Sequence, residues 1–148
     1  MKSLLPVKRT KRSDRTGSAI VEVAVCFPVF LLILMGIIEF GRAMSVNQLL
    51  NTGSRIGCRA AILDGSTNDS VSNTVKTSVA NMVGCSTSSI TVTIAITRGS
   101  TTIANLSSAT TGDTISIDTT VPFSTVSWAV ANYLSTSSLR GQCSMIHE

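Results

Sequence analysis

The stretch from Gly17 to Phe40 reads GSAIVEVAVCFPVFLLILMGIIEF. It decides the fold, because a run this long and this apolar is matched to lipid. Eleven of the sixteen residues from Val23 to Ile38 are Leu, Ile, Val or Phe. At roughly −0.3 to −0.6 kcal/mol each on an insertion scale, they favour entry into a bilayer. As a helix, residues 18–40 would extend about 35 Å, enough to cross one. The expected anchor rests on Val23, Phe27, Pro28, Phe30, Leu31, Leu32, Ile33, Leu34, Ile37 and Ile38. Pro28 removes a backbone hydrogen bond and is expected to kink the helix, which neighbouring helices in lipid make tolerable.

Working outward, residues 1–17 form a basic leader. They carry Lys2, Lys8, Arg9, Lys11, Arg12 and Arg15 against Asp14 alone. The net charge of +4 is therefore the leader's, since residues 18–148 hold six cations and seven acids. A positive flank beside an apolar span predicts a cytoplasmic leader with everything after Phe40 outside. A basic tail without a binding motif gives no reason to invoke nucleic acid. A cleavable secretory signal also starts basic and turns apolar. This run is longer, Glu22 interrupts its start, and Glu39-Phe40-Gly41-Arg42-Ala43-Met44 lacks a small-x-small exit.

Glu22 demands a reason. A carboxylate at the bilayer centre costs about 2.5–3.5 kcal/mol on the mildest scale, and such acids are functional candidates. Glu22 lies four residues past Ser18, about 6 Å along a helix, so nearness to the interface lowers that cost. An α-amino group newly made at Ser18 titrates near pH ~8 and would be a partner for Glu22. Gly17, Ser18 and Glu22 thus read as a processing site. Glu39 and Arg42, three apart, read as an exposed helix pair at the outer membrane edge.

Beyond the span the helix is expected to continue. Val46, Leu49, Leu50, Gly53, Ile56, Gly57, Ala60 and Ala61 recur at three- and four-residue steps on one face. A single helix over residues 18–63 would be about 69 Å long. The turn cluster Asp64-Gly65-Ser66-Thr67-Asn68 ends it. A second helix is predicted over 70–83, capped by Asn68 or Asp69 and stopped by Gly84. Residues 90–97 and 114–121 alternate as half-buried strands, the second with Ile115, Ile117, Thr119 and Val121 on one face and Pro122 at its end. A polar loop, 98–112, joins them. A third helix is expected from Ser124 or Thr125 through Leu134, then a strand over 137–146. The fold class is α+β: a long N-terminal helix continuing outside, packed on a small antiparallel sheet with two further helices, in the order helix-helix-strand-strand-helix-strand. The domains expected are the leader 1–17, the transmembrane helix 18–40 and an extracytoplasmic domain 41–148.

Cys26 falls inside the span and reads as a small apolar residue. Cys58, Cys85 and Cys143 would face an oxidising exterior, where one internal disulfide can persist. Sequence does not fix the pair. Cys58–Cys143 is the pairing favoured here, joining the long helix to the last strand. No CxxC spacing suggests a metal, and no cofactor is implied. His147, next to the chain end, reads as a solvated residue. No GxSxG motif, phosphate loop or pair of acids suggests an enzyme or a small-molecule substrate.

Several of these residues together resemble a known family. Gly17 with Ser18-Ala19-Ile20-Val21-Glu22, then Phe27-Pro28-Val29-Phe30-Leu31-Leu32 and Gly36-Ile37-Ile38-Glu39-Phe40-Gly41-Arg42, is similar to TadE-like proteins. The similarity continues at Arg55, Gly57 and Arg59-Ala60-Ala61, and at Gly112-Asp113-Thr114 and Val121-Pro122-Phe123. These are minor pilins, or pseudopilins, of the tight-adherence (Flp) pilus of bacteria. The resemblance implies cleavage after Gly17 by a membrane-embedded prepilin peptidase, with Ser18 as mature N-terminus and Glu22 as fifth residue. It departs at Val23, where an aromatic residue usually follows the acid. The implied partners are the membrane, the peptidase and other pilin subunits. The implied place is the inner membrane, single-pass, with the C-terminal domain outside or in a pilus serving cell adhesion. The competing expectation is a membrane-tethered envelope binding or adhesion module that is not assembled into a filament.

Overall fold

A computed structural model describes residues 14–127 and 134–147. The order of elements is α1 (Asp14–Ala61), α2 (Asn68–Val83), β1 (Thr91–Arg98), β2 (Thr101–Ile103), β3 (Thr114–Pro122) and β4 (Ser138–Ile146), with short 3₁₀ turns between them. The chain divides into two compact units between Met35 and Gly36. Helix α1 continues unbroken through Pro28.

In the second unit, α1 packs through small residues. A Cβ on Gly53 would overlap Val79 Cγ2, and one on Gly57 would overlap Val75 Cγ2 and meet Ile117 Cδ1 at 3.0 Å. The two helices therefore approach closely, with Val71, Val75, Val79 and Val83 of α2 buried on the shared side. The face of α1 is Ala43, Val46, Leu50, Gly53, Ser54, Gly57, Cys58 and Ala61. Ile56, expected on that face, is exposed. It is three residues past Gly53 but falls on the far side of the stripe that Gly53 and Gly57 centre.

Helix α2 begins two residues earlier than its apolar pattern suggests. Thr67 is the N-cap, accepting from the Ser70 amide at 3.3 Å. Asn68 is engaged elsewhere: its Nδ2 donates to Ala104 O, and its Oδ1 accepts from the Leu106 amide, both at 2.9 Å. Gly84 ends the helix at φ 79°, a left-handed conformation that suits glycine.

The sheet order is β2-β1-β3-β4, with neighbours antiparallel. Ile115, Ile117, Thr119 and Val121 are fully buried, as their alternation requires. Part of the segment expected to be a loop is the strand β2, which pairs Arg98 with Thr101 through a tight turn at Gly99, φ 59°. Where the third helix was expected to begin, Phe123–Thr125 forms a 3₁₀ turn, and 128–133 lies outside the described residues. The outer sheet face is rich in hydroxyls, among them Thr93, Thr97, Thr114, Ser116, Thr120 and Ser144.

Candidate processing site and apolar helix face

The first half of α1 carries large apolar side chains with no core to enter. From Ile20 to Phe40 they stay exposed, including Val23, Phe27, Phe30, Leu31, Leu32, Ile33, Leu34 and Ile37. Ile38 is half-buried, and Pro28 is exposed with its neighbours. Burying a Leu, Ile or Phe side chain is worth about 1.5–3 kcal/mol, so this surface is a large store of unspent association energy. Gly17–Ala61 is the one segment among the described residues long and apolar enough to cross a membrane.

Gly17 and Glu22 sit at the head of that surface. Nothing lies within 4 Å of where a Cβ on Gly17 would be. A helical glycine costs about 1 kcal/mol relative to alanine. No contact of the fold accounts for one here, in contrast to Gly53 and Gly57. One turn on, Glu22 Oε1 accepts from Ser18 Oγ at 3.3 Å. The carboxylate thus reaches back along the helix to the side chain of residue 18.

Glu39 and Arg42 do not form an exposed pair at a lipid boundary. Glu39 is 1% exposed, and its Oε1 accepts from the Leu134 amide at 2.9 Å. Arg42 donates from Nη2 to Val83 O at 3.1 Å and from Nε to Val126 O at 3.3 Å. These two side chains tie α1 to the end of α2 and to the chain on both sides of 128–133. Their three-residue spacing showed a helix pair in the sequence; their long-range partners left no local trace.

Two polar residues of α1, Ser54 and Asn51, hold the helix to β4 through partners that no local sequence signal names. Ser54 Oγ bonds Thr119 Oγ1 at 3.0 Å and Gly141 O at 3.1 Å. Asn51 Oδ1 accepts from the Gln142 amide at 3.0 Å. Gly141 is the reason they can reach: a Cβ there would overlap the Leu50–Asn51 backbone. Ser54 follows Leu50 by four residues, so the helical period places it on the buried stripe.

The far end of the sheet is closed by Asp113. Arg98 donates to its carboxylate from Nε at 2.8 Å and Nη2 at 2.7 Å, and the Thr110 amide adds a third bond at 2.8 Å. The guanidinium and that amide hold the Asp113 carboxyl well below the usual carboxylate range. His147 is buried here, 8% exposed, rather than solvated. Its amide donates to Asp113 O at 2.8 Å and its carbonyl accepts from the Gly112 amide at 2.9 Å. These bonds fold the chain end back onto the strand start. On the outer face Arg140 pairs with Asp118 and draws its carboxyl down too. Among the described residues no three His, Cys, Asp or Glu side chains group as metal ligands would.

The apolar half of α1 and its glycine–acid head are matched by a known family. Residues 17–59 match the TadE-like protein family. The match suggests a component associated with a Tad pilus. It spans most of α1 and stops before α2, so residues 112–114 and 121–123 lie beyond it. No curated protein and no solved structure matches the chain significantly.

Proposed function

We propose that this chain is a membrane-anchored minor pilin or pseudopilin, a structural, non-enzymatic subunit for assembly of a Tad (tight-adherence, Flp-type) pilus. The observation that carries the reading is the first half of α1: an exposed apolar rod headed by Gly17, Ser18 and Glu22, inside the segment that matches TadE-like proteins. The rod holds the protein in the inner membrane with its leader in the cytoplasm. A prepilin peptidase cuts after Gly17, where a side chain would obstruct the scissile bond. The freed Ser18 amine then pairs with Glu22 of this or a neighbouring helix, so that packing of pilin helices can bury the acid. The second unit stands outside and offers its hydroxyl-rich sheet face to the pilus or to an adhesion target.

The N-terminus of the protein isolated from membranes tests this. Expected is a Ser18 start that disappears in Gly17→Val. An intact leader beside an active peptidase would instead favour a tethered module outside any filament. Glu22→Gln is expected to insert normally and to enter filament fractions poorly. Equal incorporation of the variant would remove the pairing of Glu22 with the amine.

A further inference from the structure

Cys58 and Cys143 meet where α1 lies against the edge of the sheet. Cys58, on α1, is fully buried. Cys143, on β4, is half-buried and sits opposite Ile117 of β3. The close approach of α1 fixes their neighbourhood from two sides. The Leu50–Asn51 backbone rests on Gly141, two residues before Cys143, and Ile117 Cδ1 reaches the position beside Gly57, one residue before Cys58. The Cys58 side chain accordingly interacts with both the Cys143 thiol and the Ile117 backbone. Both cysteines are present as free thiols.

We infer that Cys58 and Cys143 are joined as a disulfide when this unit folds outside the cytoplasm, closing one covalent loop around α2 and the sheet. The inference rests on the exported topology proposed above. The oxidant is the disulfide of a thiol–disulfide oxidoreductase or of glutathione. The Cys143 thiolate attacks it, forming a mixed disulfide and releasing one of its sulfurs as a thiol. The Cys58 thiolate then displaces the second. One S–S bond forms and one is reduced; two protons leave and two electrons pass to the oxidant. Timing follows from burial. Desolvation, with the Cys143 side chain beside it, pushes the Cys58 thiol up to about 12, so the closed fold holds little reactive thiolate. The bond therefore forms during folding, not after it.

The consequence is mechanical. α2, β1, β2 and β3 all lie between the two cysteines. Tension that reaches Cys58 along α1 passes straight into β4, and the elements inside the loop are not pulled in series. α1 cannot be peeled from the sheet edge without breaking a covalent bond.

The test uses the full chain in detergent. Protein taken from membranes with thiols blocked is digested without reductant and its peptides weighed. Reduced, urea-unfolded protein is refolded in parallel with oxidised glutathione. The Cys58 and Cys143 peptides are expected linked in both samples, with Cys85 blocked as a thiol. The wild type is expected to melt roughly 10 °C lower or more in dithiothreitol, and Cys58→Ala and Cys143→Ala to show no such shift. Linkage on refolding but not in the membrane sample would overturn the exported topology while leaving the pairing standing. Unlinked peptides after refolding, or a link to Cys85, would overturn the pairing itself.

Discussion

The two halves of α1 use similar apolar residues for opposite ends. The first half, through Met35, is apolar around its whole circumference and buries none of it. The second half gathers a buried stripe from Ala43 to Ala61, interrupted by Gly53, Ser54 and Gly57, while Phe40, Met44 and Ile56 stay exposed beside it. What separates the halves is periodicity, not composition. An all-round apolar helix satisfies a solvent that is itself apolar, whereas a stripe satisfies a neighbour. Glycines differ in the same way: Gly53 and Gly57 let side chains come close on the buried stripe, whereas Gly17, Gly36 and Gly41 meet nothing within 4 Å.

Three experiments can break or sharpen that contrast. The largest effect is expected from Gly141→Val set against Gly36→Val. At 141 the new side chain meets the Leu50–Asn51 backbone, which cannot yield as a flexible side chain would. Overpacking of this kind costs about 3 kcal/mol or more, visible as loss of the cooperative urea transition. At 36 nothing lies within 4 Å, and the transition is expected to stay where it is. Equal loss in both would erase the distinction.

Leu50→Ala against Leu32→Ala comes second. Leu50 is fully buried, so its truncation is expected to destabilise the second unit by about 2–5 kcal/mol in the same denaturation. Leu32 is 59% exposed, and its truncation is expected to leave that transition unmoved while slightly easing extraction from membranes by mild detergent. A shifted transition in Leu32→Ala would show that the first half does contribute to the folded unit.

The smallest effect is expected from acid, and only in the second unit. The folded-state pKa of Asp113 lies below its unfolded value. The stabilisation is therefore fully present above the ordinary carboxylate range and is lost as pH falls through about 4 and below. Urea midpoints measured from pH 7 down to pH 3 should fall in the wild type. Asp113→Asn should start lower and fall less. Parallel slopes in the two proteins would assign the acid sensitivity to other carboxylates.

The contrast also explains what the sequence could and could not reveal. The apolar half of α1 was legible because a run long and apolar enough to cross a membrane is a matter of composition and needs no partner to be seen. β3 was legible because Ile115, Ile117, Thr119 and Val121 repeat with the period of the pleat. β2 is three residues long, too short for a periodic signal, and only the Arg98-Gly99-Ser100-Thr101 turn announced it. The helix cap fell to Thr67 because Asn68 was claimed by the 104–106 segment, a contact thirty-six residues away. Glu39 and His147 were misplaced for the same reason. A polar residue's surroundings are set by what folds onto it, and neither the amide of Leu134 nor the strand start at Asp113 is local to them. Gly17 stands out in the sequence because its neighbours are unusual, and no packing in the fold requires it.

Asn51 has one further consequence. β4 is an outermost strand, and such strands can recruit the backbone of another molecule into runaway cross-pairing. Here the helix occupies the Gln142 amide and lies across Gly141, while the opposite margin, β2, is only three residues long. Copies brought close together would find little to zip strand by strand. Under the function proposed above, association would fall to the exposed apolar half of α1.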